Sequence, residues 1–184
     1  TIKESSRQAL AELHALGVRS VMLTGDNTAT AQTIGKLAGI DDARGNLLPE
    51  DKLAAIAELQ KRHGPVAMAG DGINDAPALA RADIGIAMGA AGTDIAMEAA
   101  DVVIMNDDLR RIPEAIRLSR RTHAVLWQNI VLALGIKSVF LVLAVLGSAT
   151  MWMAVFADMG ASLIVVFNGL RLLQGRAASQ GRRP

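Results

Sequence analysis

The sequence contains no cysteine, which excludes disulfides and thiolate metal ligands from these residues. Residues 124–173 are nearly without charge, with Lys137, Asp158 and Arg171 as the only charged side chains there. That scarcity separates them from residues 1–122, where charged and apolar segments alternate as in a soluble domain. No proline falls between Pro113 and Pro184, so proline breaks no helix across that stretch. The chain begins at Thr1 with no signal-peptide pattern, and the expectation is a cut N-terminus with further segments upstream.

What is present points to two kinds of solvent. Apolar residues make up 51% of the chain. The net charge of +1 hides an asymmetry: most acidic residues precede position 115, whereas Arg110, Arg111, Arg117, Arg120, Arg121, Arg176, Arg182 and Arg183 flank the apolar part. Nucleic-acid binding is the rival reading of such a basic flank. The expected partner is a lipid bilayer, with no nucleic acid.

Along residues 5–16, Leu10, Leu13 and Leu16 follow Ser5 and Ser6, and Gly17 stops the run, as in a helix. Val18 to Leu23 reads as a strand, Thr24-Gly25-Asp26-Asn27 as a loop and Thr28 to Leu37 as a helix. The grammar repeats with a helix led by Pro49 and reaching about Arg62, a strand at Val66 to Ala69, the loop Gly70-Asp71-Gly72-Ile73-Asn74-Asp75, and a short helix at Ala76 to Arg81. Ile84 to Met88 and Val102 to Met105 complete a βαβ pattern with a mainly parallel sheet. Its acidic loops follow strand carboxyl ends, where open α/β sheets place ligands.

The expected organisation is an α/β domain over 1–108, a stalk helix over 109–123, transmembrane helices over 124–146 and 150–173, and a basic cytosolic tail over 174–184. Residues 124–146 would be about 34 Å long as a helix, enough to cross a bilayer. Gly147 to Thr150 form an uncharged turn. Arginines at both outer ends of the hairpin place both ends in the cytosol. A buried helical hairpin of a soluble protein is the competing reading.

Each loop taken singly could be an ordinary turn, since Gly, Asp and Asn favour turns. Glycines let backbone N–H groups approach a phosphate, and neighbouring carboxylates suit Mg2+, a hard ion that prefers oxygen. Lys52, after Pro49-Glu50-Asp51, adds a cation able to offset the charge of a transferring phosphoryl group.

Thr24-Gly25-Asp26, Lys52 and Gly70-Asp71-Gly72-Ile73-Asn74-Asp75-Ala76-Pro77, followed by Gly92-Thr93-Asp94-Ile95-Ala96 and Ala100-Asp101, resemble the phosphorylation domain of P-type ATPases. The resemblance runs over essentially the whole chain and implies a haloacid dehalogenase-like, Rossmann-like fold, here its C-terminal part followed by the two-helix hairpin. It implies that Thr24 and Gly25 hold phosphoryl oxygens and that Lys52 pairs with that phosphate. Asp71 would ligate Mg2+, with Asn74 and Asp75 supporting phosphate and metal, and Asp26 would serve the nucleotide or a domain hinge. ATP and Mg2+ are the implied cofactors. The family's nucleophile, the first residue of an Asp-Lys-Thr-Gly-Thr motif, is absent here. The enzyme is therefore expected only in a complete protein whose upstream remainder supplies nucleophile, nucleotide-binding domain and earlier helices.

Lys137 and Asp158 lie 11 residues before and 10 after Ser148, so both fall roughly 15 to 17 Å from the turn. An ionisable group in a membrane helix is a functional candidate by default, although a structural salt bridge explains the pair as well. Asp158 in Ala157-Asp158-Met159-Gly160 and Lys137 in Gly135-Ile136-Lys137 resemble the zinc-, cadmium- and lead-exporting subgroup of these pumps. The resemblance implies that Asp158 binds the transported ion and that Lys137 is its counter-charge, in a bacterial plasma membrane. Two alternatives stand beside this reading: a pump for another cation, and a truncated, non-catalytic, membrane-anchored binding module. His14, His63 and His123 read as solvated or capping residues, Met151, Met153 and Met159 as packing, and Asn129 and Asn168 as helix-to-helix hydrogen-bonding partners.

Overall fold

A computed structural model describes residues 2–70, 73–89, 94–106, 108–148 and 150–180, with the backbone alone at 73, 94–96, 151, 154 and 173–180. The chain forms two compact units, Thr1–Glu114 and Ala115–Pro184.

In the first unit the elements run α1 (Glu4–Ala15), β1 (Val21–Leu23), α2 (Thr28–Ala38), β2 (Asp42–Arg44), α3 (Pro49–His63), β3 (Ala67–Gly70), a 3-10 turn (Ile73–Asp75), α4 (Ala76–Arg81), β4 (Ile84–Met88), α5 (Asp94–Ala99) and β5 (Val102–Ile104). Two parallel sheets result, β1-β2 and β3-β4-β5. Val21 pairs with Asp42, Ala67 with Ile84 and Ile86 with Val102. Helices return the chain between successive parallel strands, as strand-to-parallel-strand crossovers require.

The core is small-chained. Ile56 on α3 and Leu79 on α4 are each 1% exposed. Ile86, Met88 and Ile104 form a cluster against which Leu109 and Ile112 pack.

The expected strand at Val18 to Leu23 is shorter than the apolar run suggests. Gly17 N–H donates to His14 O and Val18 N–H to Leu13 O at 2.9 and 3.0 Å, so Val18 belongs to the closing turn of α1. The strand β2 falls in a segment for which the sequence offers no apolar run.

In the second unit, α6 (Arg111–Val145) enters from the first unit and α7 (Met151–Gln180) follows. Gly147 at φ 70° takes the left-handed position that lets Ser148 N–H reach Leu143 O and Gly147 N–H reach Ala144 O, both at 3.0 Å. These bonds end α6 in a glycine-terminated turn. Thr150 Oγ1 then accepts from Met153 N–H at 3.4 Å, and α7 runs on to Gln180. The most apolar 18-residue stretch of α6 has no buried residue, and Val155–Leu172 of α7 is 6% buried. Leu126, Val131, Leu141, Phe156 and Phe167 are all more than half exposed. An apolar surface of that extent requires a cover other than water.

Candidate functional site

The first group of site residues sits beyond the carboxyl end of β1. Thr24 Oγ1 donates to Asp26 Oδ2 at 3.0 Å and accepts from Asp26 N–H at 3.1 Å, so side chain and backbone close a small ring. Asn27 Oδ1 accepts from Ala29 N–H at 2.8 Å, capping the first turn of α2. At Gly25 an added Cβ would meet Leu47 O at 3.5 Å, an ordinary contact.

The loop is braced by residues 44–47, which sequence reasoning missed. Thr24 N–H donates to Arg44 O, Leu47 N–H to Thr24 O and Asn46 N–H to Asp26 O. Asn46 Nδ2 reaches Thr28 Oγ1 at 3.0 Å. Asn46 holds φ 57°, a conformation Asn tolerates better than most residues. The only available signal was the Gly45-Asn46 dipeptide, a turn type of pair.

The second group lies beyond β3. Lys52 occupies the first turn of α3, where Pro49 stands at the helix start and Asp51 Oδ2 accepts from Leu48 N–H at 2.9 Å. Its Nζ donates to Asp75 Oδ1 at 2.6 Å, with the two side chains 15% and 17% exposed. Gly70 makes this approach possible: a Cβ there would stand 2.9 Å from Asp75 Cβ and 3.0 Å from Oδ2. Asn74 is exposed on the 3-10 turn beside it. Among the described residues, no hydrogen bond or ion pair links the Thr24–Asp26 ring to the Lys52–Asp75 pair. Asp71 and Gly72 lie outside the described residues, as do Gly92 and Thr93.

Asp101, part of another motif segment, accepts from Gly85 N–H at 2.8 Å through Oδ2 and donates its own N–H to Gly85 O. It fastens the start of β5 to β4. Asp83 ties α3 to the start of β3: Val66 N–H and Gln60 Nε2 donate to its Oδ2 at 2.8 and 3.0 Å. These bonds, the Val66 N–H first, hold the Asp83 carboxyl below its usual range.

His14 Nε2 meets Asp41 Oδ2 at 2.8 Å. Ser20 N–H donates to the same oxygen, and this backbone bond is the leading cause of the lowered Asp41 pKa. His63 is the last residue of α3, and His123 packs edge-on to Trp127 with centroids 6.4 Å apart. Among the described residues, no three His, Cys, Asp or Glu side chains gather as a metal cage.

In the second unit, Lys137 Nζ stands 3.6 Å from Asp158 Oδ1, with both side chains about two-thirds exposed. Ser162 Oγ donates to Asp158 O at 2.9 Å. Toward the arginine-bearing end of the hairpin, Asn168 Nδ2 donates to Asn129 Oδ1 at 2.9 Å and to Gln128 Oε1 at 3.3 Å. The two asparagines thus bond between helices, as expected. Arg171 Nη1 reaches Asn168 Oδ1 at 3.3 Å, and Arg121 Nη2 reaches Arg171 O at 2.9 Å.

Comparison with known proteins finds relatives of the chain. Residues 1–83 match the haloacid dehalogenase-like hydrolase family. A probable cadmium-transporting ATPase of Listeria monocytogenes is 52% identical over 94% of this chain and 24% of its own length. A zinc/cadmium/lead-transporting P-type ATPase of Escherichia coli is 50% identical over 96% of this chain and 24% of its own length. The crystal structure of a zinc-transporting PIB-type ATPase in its E2.Pi state superposes with a TM-score of 0.87 at 48% identity, covering 94% of this chain and 28% of that one. The chain thus spans about a quarter of the length of these relatives.

Proposed function

We propose that this chain, which belongs to the heavy-metal-transporting P-type ATPases, is the part of an ATP-driven exporter that handles the phosphoryl group and carries one ligand for the transported ion. The cargo in this reading is Zn2+, Cd2+ or Pb2+, the ions named for its relatives. The observation that carries the proposal is the Lys137–Asp158 pair between two exposed apolar helices. The same chain holds Thr24, Asp26, Lys52 and Asp75 beyond the ends of parallel strands.

In the complete protein a carboxylate nucleophile outside this sequence would attack the terminal phosphoryl group of ATP and release ADP, leaving an aspartyl phosphate for water to hydrolyse. Thr24 and Gly25 would hold the phosphoryl oxygens, and Asn74 would bond the group from the side. Lys52, held by Asp75 in this structure, would shift part of its charge to the incoming phosphate. Asp26, closed on Thr24, would serve the nucleotide or a hinge.

Asp71 and Asp75 would offer Mg2+ the hard oxygen donors it prefers, and Gly70 leaves room for the Asp75 side chain. Bound there, the ion supplies charge that offsets the phosphoryl oxygens. Within the membrane, Asp158 would bind the cargo as a carboxylate beside thiolates from elsewhere in the protein. Lys137 would neutralise Asp158 once the ion has left.

The same reading puts the turn at Ser148 outside the cell and Arg120 inside. A Ser148→Cys substitution in the full-length protein should react with an impermeant thiol reagent added outside, and reaction from the cytosolic face alone would overturn the topology. The phosphoryl half is tested with Asp71→Asn. Incorporation of the γ-phosphate of ATP into the protein should vanish, and wild-type labelling would remove Asp71 from the site.

A further inference from the structure

The second unit is out of electrical balance. Residues 115–184 contain eight Lys and Arg but a single carboxylate side chain, Asp158, which already faces Lys137 at 3.6 Å. The other cations are arginines, and four of them, Arg117, Arg120, Arg121 and Arg171, are exposed along the described helices, with Arg117 and Arg120 engaged by partners of their own. On α6 the spacing of 117, 120 and 121 sets three guanidinium groups on one face. Arg121 Nη2 donates to Arg171 O at 2.9 Å, which brings the base of α7 to that same face.

Depth identifies what such a face would meet. Counted from Ser148, Arg171 is 23 residues away and Arg121 is 27, so they lie about 35 and 40 Å along their helices from the turn. The hydrocarbon core of a bilayer is about 30 Å thick and the whole bilayer with headgroups about 40 to 45 Å. If the turn sits at one interface, both arginines fall in the phosphate layer of the opposite leaflet. The two tryptophans agree with that register. Trp152 lies four residues from Ser148 and Trp127 lies 21, and both are more than half exposed, as in the aromatic belts at the two interfaces.

We propose that Arg117, Arg120, Arg121 and Arg171 form a binding site for the phosphate headgroup of an anionic phospholipid at the cytosolic end of the hairpin. The proposal rests on the reading of α6 and α7 as membrane-crossing helices. A guanidinium presents several N–H donors in a plane matched to phosphate oxygens. Arg121 and Arg171 spend donors on protein oxygens, which fixes their direction while charge remains for the lipid. A zwitterionic headgroup brings an ammonium into the same cluster and is disfavoured. Free phosphate shares the chemistry but lacks acyl chains to lie against the exposed apolar helix surface.

The test uses the full-length protein, delipidated in mild detergent and supplied with an equimolar mixture of phosphatidylcholine and phosphatidylglycerol. Retained lipids are counted by native mass spectrometry. Wild type should retain phosphatidylglycerol preferentially. Each arginine near an anionic surface contributes about fivefold in affinity, so Arg121→Gln with Arg171→Gln should weaken that preference about thirtyfold. The paired Lys substitutions keep the charge and should hold it within about threefold.

Equal retention of the two lipids by wild type, an unchanged preference in the Gln pair, or loss of preference in the Lys pair would each overturn the site. Displacement of the bound lipid by millimolar inorganic phosphate would overturn the lipid as its ligand. Zn2+-stimulated ATP hydrolysis by wild type, measured separately, bears on the pump reading and is independent of the lipid count.

Discussion

Two lysine–aspartate pairs in this chain have the same chemistry and opposite surroundings. Lys52 and Asp75 stand 2.6 Å apart with 15% and 17% of their side chains exposed, whereas Lys137 and Asp158 stand 3.6 Å apart with 66% and 68% exposed. The first pair is enclosed by its own unit, between the first turn of α3 and the 3-10 turn before α4. The second sits between helices whose apolar stretches are almost entirely exposed. For the first pair the fold itself sets the desolvation cost. For the second, that cost is set by whatever surrounds the hairpin, and exposure to lipid desolvates charge where exposure to water would not.

The comparison can be broken first at the enclosed pair, where the largest change in stability is expected. Lys52→Ala leaves Asp75 charged and mostly shielded, so the full-length protein should lose about 2 to 4 kcal/mol in denaturant unfolding, somewhat below the cost of breaking a fully buried pair. The double variant with Asp75→Asn should regain most of that stability without regaining phosphoenzyme, because under the proposed function Lys52 is what pairs with the phosphate. Recovery of both would make the pair purely structural.

Gly70→Ala approaches the same pair from the backbone. The new methyl group would stand 2.9 to 3.2 Å from the Asp75 side chain, and overpacking of this kind costs about 1 to 3 kcal/mol. Phosphoenzyme should fall with it, and an unchanged protein would mean that Asp75 is free to move aside.

The amide contact between the helices is a smaller lever. Asn168→Leu removes the donor to Asn129 and Gln128 and should cost about 0.6 kcal/mol in the membrane, read as a small drop in melting temperature with metal binding retained.

A lever of comparable size is the water-screened ion pair at Asp108, where the Arg110 guanidinium holds the carboxyl down from 3.8 to about 2. A depressed carboxylate pKa adds stability that is fully present above the unfolded value and is lost as pH falls through the folded one. The contribution should disappear between about pH 4 and pH 2, a slope that Asp108→Asn would flatten.

Much of this was legible in the sequence, for reasons that can be named. Pro49 marks the start of α3 and thereby puts Lys52 in its first turn. The Gly-Asp loops announce the ends of β1 and β3, and an 18-residue stretch poor in charge announces each long helix. Equal spacing from Ser148 anticipated that Lys137 and Asp158 would share a level.

Other features were hidden because they are tertiary. The strand β2 is Asp42-Ala43-Arg44, with no apolar run to betray it. It is held by pairing to β1 and by Gly35, where an added Cβ would stand 2.7 Å from Ala43 Cβ. The Lys52–Asp75 contact spans 23 residues, and no periodicity reports a contact of that kind. His14 and Asp41 meet across 27 residues for the same reason.

Whether the exposed pair is an ion site or a structural bridge is decided by measuring Zn2+ binding and Zn2+-stimulated ATP hydrolysis on Asp158→Ala, Lys137→Ala and the double variant of the full-length protein. As an ion site, Asp158→Ala should lose both properties, while Lys137→Ala should still bind Zn2+ with turnover lowered or freed from metal control. The double variant should then behave like Asp158→Ala. Restored Zn2+-stimulated hydrolysis in the double variant would contradict the account and reduce the pair to a structural salt bridge.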